Sequence, residues 1–197
     1  MAKGTWIALG VLGGIALVAL GIVGSAVGTY NSFVQESEGI DAQGKQVDVQ
    51  YQTAFRKVPQ LVNLTEQYMR NEADVMTQAA ALRSGLVPAG NGTFDEKDAY
   101  AAQLANFIAL IAARAENYPE LRASNLFIIT MDEIVNTENK IAMEKVRYND
   151  RVQTYNAHRR ECCIPLWIAG AFGFDENDYI GYTDRPNQST FPQGTQL

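Results

Sequence analysis

The chain has 197 residues, and 16 Lys+Arg against 22 Asp+Glu leave it at net −6. That is about one domain, and an acidic balance excludes the concentrated basic face of a nucleic-acid binder. A hydrophobic share of 47% excludes a disordered acidic chain, while two adjacent cysteines and one histidine exclude a disulfide framework and a His-rich metal site.

Residues 5–28 (TWIALGVLGGIALVALGIVGSAVG) carry no charge. At 1.5 Å per residue such a helix reaches about 36 Å, enough to cross a bilayer core with some tilt. A secretory signal has a shorter apolar region, so a retained membrane span is predicted over a cleaved leader. Gly10, Gly14, Gly21, Ser25 and Gly28 follow one another at spacings of four, seven, four and three. These steps put them on one helical face, where small side chains let a second helix approach closely. Glycine is also common in spans for no such reason. A lone span has no other span in this chain to pack on, so a second copy or a membrane-protein partner is expected. Lys3 stands before the span, which favours a single-pass protein of the cell membrane with its N-terminus inside and its body outside.

From Tyr30 to Leu82, positions at spacings of three and four keep one phase: Phe33, Ile40, Val47, Tyr51, Ala54, Val58, Leu61, Thr65, Val75 and Ala79 are among them. A 3.5-residue period sustained this long predicts a helix continuing from the span and packing in a bundle. Pro59 falls inside it. Because the phase survives, a kink is expected there and not a reversal. The helix is predicted to end near Ser84-Gly85, with a loop over 85–93. Thr93 or Asp95 then caps a helix whose buried face is Leu104, Phe107, Ile108 and Ile111. Tyr118-Pro119 interrupts it, and Pro119 suits the start of the next. The last long helix carries Phe127, Met131, Ile134, Glu138, Ile141, Lys145, Tyr148, Val152 and Tyr155 in strict alternation of four and three. Glu138 and Lys145 interrupt this apolar stripe. Either they meet partners on a facing helix and set register, or they reach out to solvent at the bundle edge. No period-two run argues for a strand.

The pattern Tyr118-Pro119-Glu120-Leu121-Arg122-Ala123, Asp132-Glu133, Thr137-Glu138-Asn139, Arg147-Tyr148-Asn149, Tyr155-Asn156 and Gly173-Phe174 resembles the LemA family. Tyr30-Asn31-Ser32-Phe33-Val34 after the span and Pro59-Gln60-Leu61-Val62 extend the resemblance over roughly residues 1–175. Two places depart from it. Thr53, Ala54 and Arg56 stand where the family usually has paired arginines and an aspartate. Cys162-Cys163-Ile164-Pro165 stands for its Phe-Pro. The resemblance implies one N-terminal membrane helix and an antiparallel helical body. It implies no established chemistry. One branch takes part in building magnetosome membranes, which points to membrane organisation.

Candidate chemistry is sparse. His158 and Cys162 are four apart and share a helix face, but no oxyanion loop or nucleophile elbow accompanies them. Asp132, Glu133 and Glu138 lack the Glu-x-x-His spacing of a diiron bundle. Cys162-Cys163 lacks the spacing of a zinc site; packing is the main expectation, with palmitoylation near a membrane the alternative. No cofactor is expected. Residues 164–174 (IPLWIAGAFGF) are apolar yet too short to span. Ile164, Leu166, Trp167, Phe172 and Phe174 either pack on the chain's own bundle, lie on the membrane surface, or contact a neighbouring subunit.

The expectation is therefore an all-α protein: a transmembrane helix over 1–28, a helical bundle over 29–174 and a polar tail over 175–197. Its predicted partners are the lipid bilayer and further copies of itself, in a structural role without catalysis. An adaptor that binds another membrane protein without self-assembly is the alternative.

Overall fold

The computed structural model describes residues 2–161 and 164–174. Seven helices follow in order: α1 (Ala2–Phe55), α2 (Val58–Tyr68), α3 (Ala73–Asn91), α4 (Phe94–Ala115), α5 (Pro119–Arg122), α6 (Asn125–Arg159) and α7 (Ile164–Phe172). Among the described residues there is no strand. The protein is all-α, as its period predicts. The predicted tail over 175–197 and the two cysteines lie outside the described residues.

The chain divides into two compact units. One takes residues up to Ala42 and those from Tyr148 on; the other, among the described residues, is Gln43–Arg147. Helices α1 and α6 belong in part to each.

The Gln43–Arg147 unit is an up-down-up-down bundle. The end of α1 with α2 runs one way, α3 returns, α4 repeats the first direction and α6 returns again. Antiparallel neighbours follow from short connections. The stripe read from the sequence is its core: Val47, Tyr51, Val58, Leu61, Thr65, Val75, Ala79 and Leu82 are all buried. On α4, Leu104, Phe107 and Ile111 are buried as expected, while Ile108 is only half-buried.

At Pro59 the chain bends without turning back. Lys57 keeps right-handed helical angles (φ −88°, ψ −17°), and Pro59 takes an early position of α2, where its missing N–H costs nothing. The backbone bonds Arg56 N–H to Gln52 O and Lys57 N–H to Ala54 O carry the helix across. The reversal comes later, at 69–72, inside what the period reads as one helix. Glu72 leaves the helical region there (φ −91°, ψ 99°). Its carboxylate accepts from Arg114 at 3.1 Å and from the Tyr118 hydroxyl at 2.7 Å. Arg114 also pairs with Asp74 at 2.9 Å. The turn is thus held by partners some forty residues away.

The predicted stop at Ser84-Gly85 is likewise corrected. Helix α3 runs on to Asn91 with Pro88 inside it, and only Gly92 and Thr93 remain as a connection. Gly85 serves close approach and not termination. A β-carbon there would lie 3.1 Å from the Tyr100 ring, whose hydroxyl donates to the Leu82 carbonyl at 2.8 Å. Burial raises the Tyr100 pKa, because the phenolate would lose its hydration. Thr93 caps α4 in a capping box with Glu96. Pro119 does open a helix, but α5 is a single turn, and the last long helix starts afresh at Asn125.

The other unit joins the start of α1 to the end of α6 and to α7. Phe33 is its centre. Its ring stacks on His158 at 4.6 Å and on Phe174 at 5.1 Å, and meets Tyr155 edge-on at 5.9 Å. His158 Nδ1 lies 3.0 Å from the Glu36 carboxylate. Gly39 leaves room for the Arg151 guanidinium, 2.8 Å from where a β-carbon would be.

Candidate functional site

Two kinds of side-chain arrangement compete as functional sites: a charged layer inside the Gln43–Arg147 unit, and open apolar surface on α1 and α7.

The charged layer joins α1, α4 and α6. Lys145, on the apolar stripe of α6, pairs with Asp98 at 2.5 Å and sits 5.5 Å from the centre of the Tyr51 ring. The Tyr51 hydroxyl bonds the same Asp98 oxygen. One residue earlier, Lys97 pairs with Asp48. Gln43 donates to the Glu144 carboxylate at 2.6 Å. Lysine, aspartate and tyrosine here satisfy one another, and the lysine and aspartate side chains are only 11% and 16% exposed. The layer thus links three helices through paired charges. Among the described residues, no group of three His, Cys, Asp or Glu side chains is placed to hold a metal ion.

Glu138 and Lys145 share a stripe but not a role. Lys145 meets a facing helix. Glu138 is half-buried on α6, and no hydrogen bond or ion pair is seen for it among the described residues. Burial raises its pKa, since the carboxylate loses water without gaining a cation. Of the expected register pair, Lys145 has Asp98 as its counter-charge, and no such partner is seen for Glu138 among the described residues. Asp98, Asp48 and Lys97 were not singled out by the sequence reading. A signal existed: counting back from Leu104 in steps of four and three reaches Tyr100 and then Lys97, a cation on an apolar stripe.

The open surface lies on the first half of α1. Trp6, Leu9, Leu12, Ile15, Leu17, Leu20 and Val23 are all more than half exposed. One helical stretch here is long and apolar enough to cross a membrane, with none of its most apolar window buried. Gly10, Gly14, Gly21, Ser25 and Gly28 are exposed with it. A β-carbon at any of the four glycines would meet nothing within 4 Å. The structure places these small residues on bare helix.

Helix α7 divides the predicted contact set. Leu166, Trp167 and Phe172 are exposed. Phe174 is half-buried and turns inward, onto Tyr30 at 5.7 Å and Phe33. Ile168 and Ala169, which had not been singled out, supply the buried side. The Ile164 side chain lies outside the described residues. His158, the other candidate, is occupied by Glu36 and Phe33; Cys162 lies outside the described residues.

Comparison with known proteins adds one finding. The model of the LemA family matches residues 43–193, well over half of the chain. A search of curated proteins found no match. The matched range holds the whole Gln43–Arg147 bundle with its charged layer and continues through α6 and α7. It begins after the exposed apolar half of α1. An all-helical body bearing the Tyr118-Pro119 break, the Arg147-Tyr148-Asn149 run and this family match leads to one conclusion: the chain belongs to the LemA family.

Proposed function

We propose that this LemA-family protein is a membrane-anchored structural scaffold that assembles with copies of itself. One observation carries the reading. The N-terminal half of α1 is apolar, bare and glycine-faced, and among the described residues no side chain fills the space beside Gly10, Gly14, Gly21 or Gly28. An apolar helix of this length finds its solvent in a bilayer. A face of small residues there favours close packing against a second helix. The acidic body stays off anionic headgroups, and Lys3 keeps the N-terminus inside. The body's buried charges serve register and not turnover.

The test is the mass of the full-length protein in mild detergent, by light scattering. A uniform assembly of several chains is expected. Gly14→Ile with Gly21→Ile fills the face and shifts the mass toward monomer. A wild-type monomer would overturn self-assembly and favour an adaptor, which captures one stoichiometric membrane-protein partner instead.

A further inference from the structure

The C-terminal end of α7 and the residues after it meet α1 at Tyr30 and Phe33. The Phe172 and Phe174 rings stand 5.1 and 5.7 Å from that of Tyr30. The end of α7 is firmly closed. Gly173 takes a left-handed φ of 77°, and Phe174 N–H bonds back to Ala169 O at 3.0 Å. Arg159 Nε donates to the Phe174 carbonyl at 2.8 Å. These bonds fix which side of α7 faces away from α1.

Tyr30 comes two residues after Gly28, where the apolar run gives way to the polar Thr29, Asn31 and Ser32. At 1.5 Å per residue it stands about 3 Å beyond the end of that run. A bilayer core filled by residues 5–28 therefore ends where α7 is attached. The free side of α7 carries Leu166 and Trp167, each more than half exposed, with Trp167 at 67%. No charged residue occurs from 164 to 174. Tryptophan favours the headgroup level, where its ring and its N–H are both satisfied.

We propose that α7 lies in the boundary between lipid headgroups and acyl chains, with Leu166 and Trp167 in lipid. It is a second membrane attachment beside the span. The inference rests on the membrane reading of residues 5–28. Its occupant is lipid, because α7 is attached in the same unit at Tyr30, next to the exposed apolar surface of α1 that ends there. Two attachments joined through Tyr30 hold the start of the body at a set angle to the membrane.

The two tryptophans allow a clean test. Full-length Trp6→Phe, which keeps only Trp167, and Trp167→Phe, which keeps only Trp6, are placed in phosphatidylcholine vesicles. The lipid is brominated near the glycerol end of its acyl chains, and acrylamide serves as the aqueous quencher. Trp167 is expected to lose most of its emission in brominated lipid and little to acrylamide, as Trp6 does. Loss to acrylamide alone at Trp167, with Trp6 still quenched by lipid, overturns the α7 attachment and leaves the span intact. Protection of Trp167 from both quenchers means that a protein neighbour covers α7, which also overturns it. If neither tryptophan responds to lipid, the membrane reading itself fails and takes this inference with it.

Discussion

The two units are held together by different physics. The Gln43–Arg147 unit is tied by ion pairs: Lys97–Asp48, Lys145–Asp98, Arg83–Glu66 and Arg114–Asp74 join different helices, and Lys57–Glu133 and Arg114–Glu72 tie a connection to a helix. The unit that holds the start of α1 uses rings instead. Tyr30, Phe33, Tyr155, His158, Phe172 and Phe174 pack face to face or edge to face, beside the His158–Glu36 pair. The difference has a reason. Apolar stripes set which helix face is inward but leave sliding along the axis cheap, and paired charges remove that freedom. The ring cluster sits next to apolar surface, where amphipathic rings are at home and unpaired charges are costly. The first unit is the charge-tied bundle; the second carries the exposed apolar surface.

Breaking the charged layer tests this contrast most strongly. Asp98→Ala removes the counter-charge from the largely buried Lys145 ammonium and is expected to cost about 3 kcal/mol. Urea unfolding followed by circular dichroism reads it. Replacing both partners by apolar side chains should recover much of the loss. An Asp98→Ala protein as stable as the parent would mean that the layer does not hold register.

Next comes the ring cluster. Phe33→Ala removes the buried ring at its centre, for about 3 kcal/mol. Hydrogen exchange should quicken over residues 30–42 and 148–159 while the Gln43–Arg147 bundle keeps its protection. Equal loss in both would show that they unfold as one body, and the contrast would collapse.

The smallest effect sharpens the account of Glu138. Its pKa is raised by burial, so the folded protein holds that proton more tightly than the unfolded chain does. Stability from this group is present below the ordinary value of 4.5 and is lost as pH rises through the raised value. Glu138→Gln cannot ionise. Melting curves taken upward from pH 4.5 should therefore show the wild type falling behind the variant. Parallel curves would place Glu138 in solvent.

Much of this architecture was legible as period. The stripe from Phe33 to Leu82 predicted burial at nearly every step, and the long apolar helix, the capped α4 and the break at Pro119 were all visible. The reversal at 69–72 was not. It contains neither glycine nor proline, and four residues are close to one helical turn. The stripe therefore re-enters α3 in the same phase, as though the helix had never stopped. Gly85 misled in the opposite direction, because a glycine that receives a neighbouring ring looks the same in sequence as one that ends a helix.

The charged layer divides the same way. Lys145 stood out as a cation on an apolar stripe, but its partner did not, since Asp98 lies 47 residues away on another helix. What the sequence by itself determined is local: helix faces, the length of the apolar run, the small-residue face and the absence of charge in α7. These follow from the helical repeat and from side-chain chemistry. Only the tertiary structure decided where the chain turns back, which carboxylate answers Lys145, and that α7 attaches at Tyr30. Each of those depends on contacts between residues far apart in the chain, and a helical period carries no record of them.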